Sequence, residues 1–219
     1  AFFHKKILDE AYHLFYTITE MKSDHHQAAH YLGLTCMDQG RFDEAVRFLG
    51  RAVQMRPKFA DYRNYFGEAL LETDDFKRAV ENYREAINLN TYYSDAYFNL
   101  GIAHVANAIK REDFDMYNNL VEKANDIFER AVLISPEYKT SEYDQALRLM
   151  RQGDYQMALD FFKSVRNQKR EADRRAFGGF YQRFLLYSNW SNEKAINDRI
   201  KFLSEEINRN PGYADLRYE

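Results

Sequence analysis

Residues 60–90 read ADYRNYFGEALLETDDFKRAVENYREAINLN, and the spacing of small residues in and around this stretch decides the fold. Glycine and alanine recur at steps of 34 residues. They do so at Gly33 and Gly67, and at Ala11, Ala45 and Ala79. The next step is longer by 11 residues and ends at Ala124, after which a step of 34 leads to Ala158. A period in this range is typical of a solenoid of stacked supersecondary units.

Each 34-residue unit is predicted to form two amphipathic helices, A and B. In the first complete unit, helix A covers residues 26–39 and helix B covers residues 42–55. Gly40 and Arg41 interrupt the helical pattern between them, and Pro57 closes the unit. The apolar residues of helix B are spaced three and four apart, as one buried helical stripe requires; they are Val46, Leu49 and Val53.

The same period predicts the division of the chain into segments. We expect a partial repeat or N-terminal capping helix at 1–25, four repeats at 26–59, 60–93, 94–138 and 139–172, a degenerate helical pair at 173–213, and the start of a further truncated repeat or a tail at 214–219. The 11-residue insertion in the third repeat is expected to lengthen both of its helices by about one and a half turns each and to form a projecting hairpin. Its expected tip residues are Phe114, Met116, Tyr117 and Leu120.

A pair of adjacent residues in helix A and an alanine in helix B carry the motif of each repeat. The helix A pairs are Leu32-Gly33, Phe66-Gly67 and Leu100-Gly101, and the helix B motifs are Ala45-x3-Leu49, Ala79-x3-Tyr83, Ala124-x3-Phe128 and Ala158-x3-Phe162. This pattern resembles the tetratricopeptide repeat family, whose signature is W-x2-L-G-x2-Y, then A-x3-F, then P. The resemblance covers residues 26–172 and implies an all-α, right-handed superhelix of antiparallel helix hairpins.

Small residues suggest how the two helices of a hairpin approach each other. We expect the helix A glycines to face the helix B alanines, which allows the backbones to come within ~8–10 Å. Larger side chains such as Tyr83 and Phe128 are then expected to fill the space between neighbouring units.

The resemblance also implies a binding surface, because helix A lines the concave groove in this family. The candidate protein-binding residues at outward positions of helix A are Tyr31, Asn64, Tyr65, Glu68, Phe98 and Asn99. Aromatic rings supply contact area and amides bond to an extended backbone. The alternative is that some of these side chains pack on neighbouring helices. The acidic residues Asp61, Glu68, Glu72 and Asp95 predict a neutral or basic partner.

Other clusters have simpler explanations. His26 and His30 are one helical turn apart but lack a third ligand, so we expect no metal site. His104 and Cys36 fall on predicted core positions. A basic cluster near the end of the fourth repeat is expected to be solvated; it contains Lys163, Arg166, Lys169, Arg170, Arg174 and Arg175.

Composition and the absence of catalytic signatures define the expected class of protein. A net charge of −3 gives no basic excess for nucleic-acid binding, and no apolar stretch is long enough to span a membrane. One cysteine fits a reducing compartment, so we expect a cytoplasmic protein. The sequence therefore predicts a non-catalytic protein-interaction scaffold without cofactors. The alternatives are a regulatory or substrate-docking region of a larger enzyme, or a self-assembling scaffold.

The two ends of the sequence match incomplete repeats. Ala11 aligns with Ala45 of helix B, and residues 214–218 parallel residues 60–64. We therefore expect this chain to be cut from a longer array and to associate end to end through uncapped surfaces.

Overall fold

The structure is a computed structural model that describes residues 2–110 and 114–177. Within these ranges it contains nine α-helices and one short 3-10 helix, and no β-strand. The predicted all-α class is therefore confirmed. The chain divides into two compact units; one includes the residues up to Met55, and the other is Arg56–Ala176.

The first unit contains three helices, α1 (Phe2–Met21), α2 (His26–Asp38) and α3 (Phe42–Met55). Helix α2 packs on both α1 and α3. Its start is capped by His25, whose Nδ1 accepts a hydrogen bond of 3.1 Å from the backbone N–H of Ala28. Helices α2 and α3 agree with the predicted helices A and B of the first repeat to within one residue.

The second unit contains six helices and the 3-10 helix. They are α4 (Ala60–Glu72), α5 (Phe76–Leu89), α6 (Ser94–Lys110), α7 (Phe114–Ile134), the 3-10 helix Pro136–Tyr138, α8 (Ser141–Gln152) and α9 (Tyr155–Phe177). Successive helices from α4 to α7 pack on one another. Antiparallel hairpins thus recur along the chain, as the period predicts.

Three of the hairpin turns share one backbone conformation. A residue with positive φ ends helix A in each: Gly40 at 73°, Asp74 at 62° and Gly153 at 84°. The next N–H donates to the carbonyl five residues earlier, with N···O distances of 2.8, 2.9 and 3.0 Å. This is the Schellman motif. Its left-handed position favours glycine, which explains why Gly40 and Gly153 occur at two of these turns.

The helix A glycines lie against the large side chain of helix B rather than against its alanine. A Cβ added to Gly67 would lie 2.7 Å from Cε1 of Tyr83, and one added to Gly101 would lie 2.6 Å from Cε1 of Phe128. The expected pairing of these glycines with Ala79 and Ala124 is wrong. The physical reason is that the ring, four residues beyond the alanine, needs the space that a missing Cβ leaves within the hairpin.

The 11-residue insertion lengthens both helices of the third hairpin, as predicted. Helix α6 has 17 residues and α7 has 21, whereas the corresponding α4 and α5 have 13 and 14. Residues 111–113 and the side chains of residues 114–118 lie outside the described part. The projecting tip therefore stays a prediction.

Helix α9 continues past the boundary that the period predicts at residue 172. Its described part has 23 residues, Tyr155–Phe177, and lacks the break expected before a fifth helical pair. Residues 178–213 of that pair and the segment 214–219 lie outside the described residues.

Candidate functional site

The six candidate binding residues are divided between the two units. Tyr31 belongs to α2 of the first unit, where its half-buried ring stacks on Phe15 of α1 with centroids 5.4 Å apart. The other five belong to α4 and α6 of the second unit. The candidate site of the second unit therefore consists of these five residues.

Asn64, Glu68 and Asn99 form one hydrogen-bonded cluster between α4 and α6. The side-chain amide Nδ2 of Asn99 donates to Oδ1 of Asn64 and to Oε1 of Glu68, each over 3.0 Å. Asn64, Glu68 and Asn99 are only 2%, 4% and 1% exposed. The structure thus brings these three predicted residues together, but the expectation that they face outward is wrong, because their side chains bond to one another between α4 and α6 and Arg170 of α9 bonds to Glu68.

Three cations of α9 form ion pairs with the acidic residues of α4 and α6. The Arg170 guanidinium lies 3.1 Å from the Glu68 carboxylate, Arg166 lies 3.3 Å from Glu72, and Lys169 lies 3.4 Å from Asp95; these distances join N and O atoms. We call Asn64, Glu68, Glu72, Asp95 and Asn99 the α4–α6 face. Arg166 and Lys169 of the basic cluster are therefore not solvated as predicted, since their side chains are only 10% and 11% exposed; the side chains of Arg174 and Arg175 lie outside the described part.

Two tyrosines extend the contact between α9 and the α4–α6 face. The Arg170 guanidinium carbon lies 5.7 Å from the ring centroid of Tyr65, and the Lys169 ammonium lies 5.4 Å from that of Tyr138. The Tyr138 hydroxyl also donates to Oδ1 of Asp95 over 2.6 Å. A cation within about 6 Å of an aromatic ring is attracted by its quadrupole, so these rings reinforce the ion pairs.

Phe98 belongs to an aromatic core and not to an outward surface. Its ring is 0% exposed and stacks on Tyr138 with centroids 4.1 Å apart. Phe128 and Phe162 make edge contacts with the same ring, at 5.1 and 6.1 Å. The expectation that Phe98 faces a groove is wrong, because the fourth repeat packs on this side of α6.

Three polar atoms in and around the contact between α9 and the α4–α6 face are buried without a hydrogen-bond partner among the described residues. They are Oδ1 of Asn99, the hydroxyl of Tyr83 and Nη1 of Arg166. Burial raises the pKa of the Tyr83 phenol well above its ordinary value, and the nearby Glu68 carboxylate raises it further. A buried polar atom left unpaired costs its desolvation free energy, so this part of the interface is incompletely satisfied.

The candidate reactive residues are buried in the core. Burial lowers the pKa of His30 to about 3 and that of His104 to about 4. Burial also raises the pKa of the Cys36 thiol to about 12, which disfavours the reactive thiolate. Within residues 2–110 and 114–177, no three His, Cys, Asp or Glu side chains converge as a metal site would require. In the same ranges, no helix combines the length and the apolarity needed to cross a membrane.

The sequence analysis missed the cations that occupy the α4–α6 face. A signal for them exists, since Arg166, Lys169 and Arg170 are spaced i, i+3 and i+4 and share one side of a helix. That spacing matches a row of acidic residues on other helices. Their contact with the acids depends on packing between helices of different repeats, which the 34-residue period does not predict.

Two segments of the chain match the family of tetratricopeptide repeats, at residues 26–59 and 67–108. Human protein O-mannosyl-transferase TMTC3 is 25% identical over 158 residues, which are 72% of this chain and 16% of that protein. The chain therefore spans only a small part of the length of this curated relative.

Solved structures share the fold. MamA superposes with a TM-score of 0.57 at 22% identity, covering 78% of this chain and 94% of MamA. YrrB, described as a TPR protein with an unusual peptide-binding site, superposes with a TM-score of 0.52 at 16% identity, covering 72% of this chain and 76% of YrrB. Identities of this size relate the chains by fold.

Proposed function

This chain belongs to the tetratricopeptide-repeat family, and we propose that it is a non-catalytic scaffold that binds a cationic segment of another protein on the α4–α6 face. The observation that carries this proposal is the seating of α9. Three of its cations are bound there by Glu68, Glu72 and Asp95. The face therefore has the chemistry to bind a basic helix, supplied here by the chain itself.

The electrostatics of the face favour a basic partner over an acidic one. The face presents three carboxylates, those of Glu68, Glu72 and Asp95, so a negatively charged segment placed there would be repelled. YrrB is described as having an unusual peptide-binding site, which supports a peptide or protein segment as the ligand here.

A docking region of a larger enzyme is the second candidate. The observation in its favour is the 25% identity to a part of TMTC3, a transferase, of which this chain spans 16%. In that case the same face would bind a cationic segment of the substrate or of the enzyme, and the chemistry would belong to another part of the protein.

Binding of a defined peptide to the full chain tests the proposal. The probe is a fluorescent 23-residue peptide with the sequence of α9, Tyr155–Phe177. The comparison peptide carries Gln in place of Arg166, Lys169 and Arg170. We expect the cationic peptide to bind at least tenfold more tightly by fluorescence anisotropy, and we expect this preference to shrink between about 50 and about 500 mM salt.

Two charge-matched variants locate the binding. The variant E68Q/E72Q/D95N neutralises the face, and E81Q/E122Q/D126N neutralises three exposed acids elsewhere in the second unit. We expect only the first to lose the preference for the cationic peptide, with helicity checked by circular dichroism. Equal affinity of the two peptides for the wild-type chain, or equal losses in both variants, would refute the proposed function.

A further inference from the structure

The α4–α6 face is occupied by a segment of its own chain. Arg166, Lys169 and Arg170 follow one another at i, i+3 and i+4 along α9, and each bonds to a different acid of the face. We propose that residues 166–170 are an internal competitor that must leave the face before a partner binds. The partner that fits is a helix with cations at the same i, i+3 and i+4 positions. This inference rests on the proposed function and adds its regulation.

Burial requires this order of events. Glu68 is 4% exposed with Arg170 of α9 bonded to it, and Asn99, which donates to the same carboxylate, is 1% exposed. No external side chain reaches the carboxylate of Glu68 or the amide of Asn99 in that arrangement. A partner that uses these groups therefore binds only the form of the protein from which α9 has moved, and its affinity is reduced by the rarity of that form.

The contact made by residues 166–170 is polar and incompletely satisfied, which makes this part of α9 displaceable. Buried ion pairs gain little net free energy, since the desolvation of both charges opposes their attraction. Oδ1 of Asn99, the Tyr83 hydroxyl and Nη1 of Arg166 have no hydrogen-bond partner among the described residues. A partner whose side chains satisfied Oδ1 of Asn99 and the Tyr83 hydroxyl would have an advantage over α9.

The same geometry defines which cations suit the face. The Arg170 side chain lies over the ring of Tyr65, and the Lys169 side chain lies over the ring of Tyr138. Glu68 accepts a hydrogen bond of 3.1 Å from the guanidinium of Arg170, and Glu72 accepts one of 3.3 Å from that of Arg166. Arginine is therefore preferred over lysine at i+4, where its planar guanidinium combines a hydrogen bond with stacking on Tyr65, and at i, where it donates to Glu72.

Neutralising the competitor tests the inference with the same α9 peptide as probe. The variant R166Q/K169Q/R170Q should bind the cationic peptide at least tenfold more tightly than the wild-type chain. The control variant R130Q/R148Q/R151Q removes the same charge from exposed positions of the second unit and should bind as the wild-type chain does. Equal affinity of the wild-type chain and R166Q/K169Q/R170Q would overturn the competitor model.

Hydrogen exchange on the unmodified chain provides a test that does not depend on the variant folding. When the cationic peptide saturates the wild-type protein, the amides of residues 163–172 should exchange at least tenfold faster, because that part of α9 has left the face. Unchanged protection of these amides in the presence of bound peptide would overturn the inference.

The two proposals fail in different ways. If neither the wild-type chain nor R166Q/K169Q/R170Q distinguishes the cationic peptide from its Gln counterpart, the proposed function is wrong. If both distinguish the peptides and bind the cationic one equally, the face is a binding site but α9 does not compete for it.

Discussion

Gly67 of α4 lies directly against the ring of Tyr83 of α5, so that a Cβ on the glycine would be 2.7 Å from Cε1 and 2.9 Å from Cδ1 of the tyrosine. The ring is fully buried and cannot retreat without disturbing the hairpin. The glycine of the repeat motif is thus the space into which the large residue of helix B fits.

Replacing Gly67 with alanine should therefore destabilise the protein, although alanine is the better helix former. We expect a loss of about 1–3 kcal/mol in the free energy of unfolding, measured by urea denaturation. In the background of Tyr83→Leu, which frees space beside Gly67, the same substitution should cost much less. An undiminished cost in that background would show that another contact is responsible.

Replacing Asn99 with alanine should lower stability as well as any binding. The substitution leaves Oδ1 of Asn64 and Oε1 of Glu68 without the donor that Asn99 now supplies. We expect a loss of about 1–3 kcal/mol in the free energy of unfolding. An unchanged urea midpoint would contradict the buried cluster.

The stability of the protein should fall in acid partly because of His104, which is 4% exposed and whose pKa is lowered to about 4 by burial and by the nearby Arg84 and Lys123 charges. The unfolded chain binds a proton at this residue below about pH 6.5, and the folded protein does so only near pH 4. Between these pH values, each unit by which the pH falls should lower the free energy of unfolding by about 1.4 kcal/mol.

A variant with His104→Leu isolates this effect. Its free energy of unfolding relative to the wild-type chain should rise by about 3 kcal/mol between pH 6.5 and pH 4, measured from urea midpoints at several pH values. Above pH 7 the difference should not depend on pH. A constant difference across the whole range would mean that His104 is not buried in its neutral form.

Replacing Asp74 with glycine should stabilise the protein, because residue 74 adopts a left-handed backbone conformation with φ of 62°. Glycine in this conformation is more stable by up to about 1 kcal/mol. The change also removes an exposed ion pair, Lys110 to Asp74 at 2.6 Å, which is worth about 0.2–1 kcal/mol. Measured in a Lys110→Ala background, where that pair is already absent, Asp74→Gly should raise the melting temperature; a lower one would contradict the strain at this turn.

The sequence predicted those features that depend on local spacing. The hairpins, the turn at Gly40 and the lengthening of α6 and α7 all follow from the period and from the conformational needs of single residues. The predicted helix B partner of Gly67 was Ala79, and the observed partner is Tyr83, one helical turn later. The period predicts which positions recur but not which of them are in contact.

The candidate site was predicted only in part. Asn64, Glu68 and Asn99 were identified as a group, but Phe98 was assigned outward although it packs on Tyr138 and Phe162. Helical periodicity assigns a face to each residue without revealing what covers that face. The covering residues here lie about 100 positions away on α9, which local patterns do not reach.

The hydrogen bond between Arg170 and Glu68 joins residues 102 positions apart. In a simple repeat array each unit contacts only its neighbours, so unfolding can begin at one end and spread gradually. Helix α9 instead connects the fourth repeat to the second, which makes their stabilities interdependent. Unfolding of Arg56–Ala176 should then be more cooperative with α9 seated on the α4–α6 face than with it displaced. The steepness of the unfolding transition therefore reports the position of this helix.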